Sequence, residues 1–209
     1  MATVKKARMT LWTPPGRVSF PFFAAPDQGR QYSDNKYKAD LLIKKEAFKT
    51  SGKALQAAVL DVGKQAFGPD FKFGGKWKTP FKDTDKDDKV VNDIMKGCIM
   101  LRAKSTKAPM FIGPRKDPET GRFPELTEEE ILAIKGGDWC VFNVTVYPYD
   151  QSGGGITLGL NAVQFWKSDT GFGQGRSVLL TTANELEVEL DSATDTTVAP
   201  SSDADDSVV

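Results

Sequence analysis

Histidine is absent from all 209 residues. That excludes imidazole acid/base chemistry, Ser-His and Cys-His nucleophile pairs, and histidine metal ligation. Cysteine is scarce: Cys98 and Cys140 are the two. Each sits in an apolar run, so the expectation is buried free thiols in a reducing compartment, not a disulfide framework. No stretch approaches the ~18 consecutive apolar residues of a membrane span. The lysines of Met1-Ala2-Thr3-Val4-Lys5-Lys6 lead into no apolar segment, so neither insertion nor secretion is expected. Finally, no Lys or Arg follows Arg176.

That last absence exposes an asymmetry that a formal net charge of zero conceals. Of the 28 acids, eight fall in the last 26 residues, so residues 1–183 carry 28 basic groups against 20 acids, a net of +8, and the tail carries −8. A basic body with an acidic appendage is compatible with a polyanionic partner. Beyond Asp191, small and polar residues replace large apolar ones, a composition that predicts a disordered tail. The boundaries expected are one main domain over 1–183 and a tail over 184–209.

The best-patterned stretch runs from Asp138 to Trp166 and predicts a long β-hairpin. Phe142, Val144 and Val146 fall on one face of its first arm, and Asn143, Thr145, Tyr147 and Tyr149 on the other. Asp150-Gln151-Ser152-Gly153-Gly154-Gly155 supplies the turn, and Ile156 to Trp166 the return arm. Two further segments alternate. Lys36 to Ile43 sends Tyr37, Ala39, Leu41 and Ile43 one way and Lys36, Lys38 and Asp40 the other; Cys98 to Lys104 turns Ile99, Leu101 and Ala103 inward and Met100, Arg102 and Lys104 outward. A short strand is expected at Met110 to Gly113. Pro14, Pro15 and Pro21 argue against a central strand between Val4 and Phe23.

Helical spacing of Leu55, Val59, Val62 and Ala66 predicts a helix over 52–67, capped by Thr50 or Ser51 and stopped at Gly68-Pro69. Thr127-Glu128-Glu129-Glu130 reads as a capping box opening a short helix that Gly136-Gly137 ends. Residues 70–96 read as an irregular excursion. The glycine-rich 171–175 reads as a flexible linker.

Catalytic and metal motifs fail on inspection. Gly74-Gly75-Lys76 is followed by Trp77, so there is no phosphate-binding loop. Asp83-Thr84-Asp85-Lys86-Asp87-Asp88 starts like a calcium loop but has Asp88 where glycine and Ile94 where glutamate is required. No cofactor, no metal and no enzymatic activity are expected. A magnesium-dependent nuclease is the enzyme alternative.

What remains is an interleaving of cations and aromatics: Tyr32, Lys36 and Lys38; Phe73, Lys76, Trp77, Lys78 and Phe81; Arg102, Lys104 and Lys107; Tyr147, Tyr149 and Trp166. Single-stranded nucleic acid suits this combination, because cations track phosphates while aromatic faces stack unpaired bases. The same aromatics could instead be core.

Lys36-Tyr37-Lys38-Ala39 running into Leu41-Leu42-Ile43-Lys44, Arg102-Ala103-Lys104-Ser105-Thr106-Lys107-Ala108-Pro109, Val146-Tyr147-Pro148-Tyr149-Asp150 and Gly159-Leu160-Asn161-Ala162-Val163-Gln164 resemble phage-encoded single-stranded-DNA-binding proteins long filed as a domain of unknown function. The resemblance spans residues 15–178, and the Tyr-x-Tyr-Asp turn with Gly-Leu-Asn-x-Val-Gln is its most specific part. It implies a mainly β protein: a five-stranded OB-fold Greek-key barrel with one or two inserted helices and a disordered acidic C-terminal tail. It implies a role in phage DNA replication and recombination in the cytoplasm of the bacterial host. The plan is similar to that of the single-stranded-DNA-binding proteins of short-tailed phages, which also end in an acidic tail. Here the hairpin turn has no Lys and the tail ends in Val208-Val209 instead of an aromatic.

On this reading Lys36, Lys38, Arg102, Lys104 and Lys107 contact phosphates, Trp77, Tyr147 and Tyr149 stack on bases, and Lys76 and Lys78 flank Trp77. The partner is single-stranded DNA, with phage or host replication or recombination proteins met through the tail. No membrane is involved, and the protein is a monomer or homodimer. The alternative is a phage structural or assembly protein whose aromatic face binds protein.

Overall fold

The computed structural model describes residues 7–28, 33–86 and 95–169. Eight strands and three helices follow one another as β1 (Met9–Trp12), β2 (Gly16–Phe22), β3 (Tyr37–Lys44), α1 (Lys45–Thr50), α2 (Lys53–Phe67), β4 (Phe81–Asp83), β5 (Cys98–Ser105), β6 (Met110–Ile112), α3 (Glu128–Ala133), β7 (Trp139–Tyr149) and β8 (Gly155–Lys167).

The hairpin β7–β8 closes a barrel. β7 pairs antiparallel with β2, β2 with β3, and β3 with β5; β5 then runs parallel to β8 through Ala103↔Leu158. β8 returns to β7 in an antiparallel ladder from Trp139↔Lys167 to Tyr149↔Gly155. The result is a closed five-stranded barrel of OB type, β2-β3-β5-β8-β7, with β1, β4 and β6 added along β7, β5 and β8. Closure leaves a continuous interior. Phe142, Val144 and Val146 of β7, Leu158 of β8, Leu101 and Ala103 of β5, and Leu41 of β3 are all fully buried there.

The inward residues are those the alternation selects, but the outward rows differ from expectation. Leu42, on the outward side of β3, is buried with Cys98 and Met100 in a second apolar cluster beneath Met95. Asp40 is buried too. The outer face of β3 is therefore basic only at its two ends, at half-buried Lys38 and exposed Lys44. Both cysteines are free and buried, and burial pushes the thiol of Cys140 well above its ordinary value.

β2 corrects the proline argument. It pairs on both edges, with β3 and with β7. Pro21 is tolerated because it lies in a bulge, where the β2–β3 register shifts between Ser19 and Phe22 and no ladder amide is required.

α2 packs across the barrel on β7, β1 and β8. Its cap is another correction: Gly52 is the N-cap with no side-chain bond, because Thr50 and Ser51 lie at the end of α1, where their hydroxyls donate back to Ala47 O at 3.0 and 2.7 Å. α3 has the expected capping box, Thr127 accepting from the Glu130 amide and Glu130 from the Thr127 amide. It ends at Ala133, before the two glycines, because Ile134 turns inward to join the core.

Candidate nucleic-acid interface

Strand register decides which of the sequence-predicted residues meet. β3 and β5 place Lys38 opposite Lys104 and Asp40 opposite Arg102; β2 places Ser19 beside Asp40 and Phe22 beside Lys38. These side chains share the outer face of β2–β3–β5, the face that OB barrels use for oligonucleotides. The cations there are not bare. Arg102 donates from Nε and Nη2 to the two carboxylate oxygens of buried Asp40, both at 2.7 Å. Lys38 reaches Asp27 at 2.7 Å and Asp34 at 3.1 Å, and Lys104 reaches the same Asp34 at 3.3 Å. Three cations thus face three carboxylates.

The charges of this lattice reinforce one another. Burial works against ionised Asp34, yet hydrogen bonds from Lys38 and Lys104 outweigh it and hold the carboxyl below its ordinary value. Lys38 is the mirror case: desolvation disfavours its charge, but Asp27 and Asp34 raise it above its ordinary value. The bidentate bond to Asp40 likewise raises Arg102. Two predicted cations near this face have no carboxylate partner among the described residues. Lys36 precedes β3 and is half-buried, and Lys107 is exposed beyond the end of β5.

Tyr147 and Tyr149 occupy a different side. With Asn143 and Thr145 they form the outward row of β7, flanked by β1 and β8. Thr10 and Thr145 hydroxyls share a bond of 2.9 Å, and the Asn161 amide donates to Asn143 Oδ1 and Thr145 Oγ1, both at 2.9 Å. Arg8 lies 6.0 Å from the Tyr147 ring centroid, and the ring runs over Gly159, where an added Cβ would come within 3.1 Å of it. Trp12, opposite Asn143, leaves 45% of its surface exposed. This second face is mostly uncharged amide, hydroxyl and aromatic.

Trp77 belongs to neither face. Its ring stacks on Phe67 at 5.6 Å and lies 5.7 Å from Phe71, with Lys76 Nζ 4.3 Å from its centroid. Lys78 bridges to the hairpin turn, its amide donating to Gly154 O and its carbonyl accepting from the Ile156 amide. The 76–78 segment is thereby tied to the β7–β8 turn. Of the other aromatics in the interleaved set, Trp166 is buried against Trp139 and Phe81 packs on Phe48 and Phe73. Tyr32 lies outside the described residues, as do the glycine-rich 171–175 and the acidic tail.

The calcium-like segment has a structural occupation. Lys45 at the start of α1 binds Asp83 at 2.6 Å and Asp85 at 2.7 Å, and Asp85 also accepts from the Gly97 amide at 2.7 Å. Among the described residues, no group of three or more potential ligands gathers as a metal site.

Two exposed aromatics, Trp12 and Phe20, escaped the sequence reading. Phe20 exposes 69% of its surface, at a φ of 49°. Its signal was visible in Phe20-Pro21-Phe22-Phe23, where neighbouring aromatics cannot all point inward along one strand.

A family model described as Enterobacter phage Enc34, ssDNA-binding protein matches residues 9–189. Among solved structures, the single-stranded DNA-binding protein from bacteriophage Enc34 in complex with ssDNA is 22% identical, covering 78% of this chain and 89% of that one, with a TM-score of 0.64. A second structure of the bacteriophage Enc34 protein is 23% identical over 81% of this chain and 87% of that one, at 0.61. Its C-terminal truncation is 21% identical over 77% and 87%, also at 0.61. At these identities the likeness shows the shared barrel. No curated protein gives a significant match.

Proposed function

The chain belongs to the Enterobacter phage Enc34 ssDNA-binding protein family, and on that premise we propose that it binds single-stranded DNA without catalysis and with little regard to sequence, in phage DNA replication and recombination. The observation that carries this reading is the β2–β3–β5 outer face, where a barrel of oligonucleotide-binding type aligns Lys38, Arg102 and Lys104 across two strands. Lys36 and Lys107 flank that row and extend the path for phosphates. Lys76, Trp77 and Lys78 sit by the hairpin turn as a lateral contact, and Tyr147 and Tyr149 serve a strand long enough to pass onto the second face.

Residues 1–183 form the binding domain and 184–209 its regulator. A flexible chain of 26 residues has an r.m.s. span of roughly 25–30 Å. That is enough for eight carboxylates to compete with DNA for the basic face. The tail also offers a contact for phage or host replication and recombination proteins in the host cytoplasm, where the protein acts as a monomer or homodimer.

A gel shift with single- and double-stranded oligonucleotides, with and without residues 184–209, tests this. The full chain shifts single-stranded DNA, and truncation tightens binding, more so at low salt where the tail's charges are least screened. Unchanged affinity after truncation removes the tail's role; no shift at all removes the DNA-binding reading.

A further inference from the structure

Phe20 combines three features that rarely coincide without a function. It lies in the β2 bulge, where register with β3 breaks between Ser19 and Phe22. It is a bulky non-glycine residue at a φ of 49°, a left-handed conformation that a side chain with a Cβ adopts only against a steric cost. Its phenyl ring is also the most exposed of the large hydrophobic side chains described, at 69%.

Strand alternation alone does not put the ring outside. Val18, two residues earlier on β2, is fully buried, so an unbroken strand would send Phe20 inward as well. The bulge reverses that, which is a device by which strands re-aim a side chain. The fold thus accepts backbone strain and an exposed aromatic at one residue.

The place is specific. Ser19 and Phe22 bracket the bulge and pair with Asp40 and Lys38, so Phe20 stands beside the rows that carry Asp40–Arg102 and Lys38–Lys104. Across β3 from it, on β5, Arg102 has two nitrogens bound by Asp40, while its side chain remains 62% exposed. What that guanidinium offers a ligand is its flat face and its remaining Nη1 edge. Arg planes and phenyl rings are both surfaces on which unpaired bases stack.

We propose that Phe20, re-aimed by the β2 bulge, is a base-stacking residue of the β2–β3–β5 face, with the Asp40-clamped Arg102 as a second platform on the far side of β3. This rests on the single-stranded-DNA reading and names the aromatic contact that the reading lacks on that face. The ligand is an unpaired base of any identity, because a ring face discriminates little among bases.

The test is binding of labelled oligo-dT to the full chain and to Phe20→Ala, Phe20→Leu and Phe20→Tyr, with thermal melts as the folding control. Phe20→Ala and Phe20→Leu weaken binding by about tenfold or more, the equivalent of one lost base stack, at an unchanged slope of log affinity against log salt. Phe20→Tyr stays within twofold. Because the ring is exposed, none of the three lowers the melting temperature appreciably; if Phe20→Ala fails to fold, the Leu and Tyr pair carries the comparison alone. Leu binding as well as Tyr overturns the stacking role, as does Ala within twofold of the unmodified chain, and both leave the DNA-binding reading standing. Failure of the unmodified chain to bind oligo-dT sinks both.

Discussion

The two outer faces of the barrel solve the same problem in different ways. On β2–β3–β5, every outward cation of the central rows meets an aspartate: Arg102 meets Asp40, Lys38 meets Asp27 and Asp34, and Lys104 meets Asp34. On β1–β7–β8, the outward rows are joined by neutral bonds among Thr10, Asn143, Thr145 and Asn161. The first face holds charge ready but balanced, so on the proposed reading a phosphate bound there would exchange with a carboxylate. The second holds shape and aromatic surface with few ions. Basic character along a sequence is thus a poor measure of the charge a surface presents.

The largest effect separating the faces is expected at Arg102. Its guanidinium covers a carboxylate that is itself 4% exposed. Arg102→Ala orphans that charge and costs about 2 kcal/mol of stability, since a buried polar group left without its partner loses about 1–3 kcal/mol and a charge more. Urea denaturation measures it. On the second face, Thr145→Val removes exposed neutral bonds and costs about 0.5–1 kcal/mol. Equal losses at the two sites would erase the distinction between them.

How much of this was legible in the sequence follows from what alternation encodes. Period-two patterning in Lys36–Ile43, Cys98–Lys104 and Val141–Tyr149 names inward and outward residues, because a strand's faces are a local property. The capping box at Thr127 was equally local. Partners across strands are not local: that Asp40 lies opposite Arg102, sixty-two positions away, depends on a register set by closure of the whole barrel. Asp40, which alternation groups with Lys36 and Lys38, is the counterion of Arg102, and Asp27 and Asp34, the counterions of Lys38 and Lys104, lie outside the alternating segments. Pro21 misled for a related reason, since its cost vanishes in a bulge, and that bulge appears only once β2 is paired with β3. Trp77 and Trp166 were ambiguous between stacking and core. Packing on Phe67 and Phe71 in one case, and on Trp139 in the other, is long-range information.

Asp34 sharpens the comparison next, through binding and through pH. It is shared by Lys38 and Lys104, so Asp34→Asn leaves the face one positive charge richer. Affinity for oligo-dT rises about fivefold at low salt, and the salt slope steepens by up to about 0.7, the contribution of one further phosphate neutralised on single-stranded DNA. The pH dependence has a definite sign. Asp34 titrates below its ordinary value of 3.8 in the folded chain, because the two lysine bonds outweigh burial. Its stabilising contribution is therefore present above 3.8 and is lost as pH falls through the lower folded value. Asp34→Asn is accordingly less stable than the unmodified chain at neutral pH, and the gap closes on acidification. Thermal melts between pH 7 and pH 2 measure it, and a gap that widens towards acid contradicts the ion-pair assignment.

The smallest effect is expected at Tyr147, and it asks how far a DNA strand travels around the barrel. The Tyr147 ring already lies against Gly159 and within cation–π range of Arg8, so less of its face is free for a base than an open aromatic offers. It also sits on the far side of β2 and β8 from the β3–β5 rows, so one short oligonucleotide does not cover both. OB barrels take about 4–16 nucleotides each. With an oligonucleotide near the lower limit, Tyr147→Ala leaves affinity within twofold. With one well beyond the upper limit, it lowers affinity about threefold, less than the ~1–3 kcal/mol of a full stack allows. Fluorescence anisotropy across a length series measures both. A loss above tenfold on the short oligonucleotide would exchange the roles of the two faces, making the neutral surface the primary site and the paired cations its neighbour.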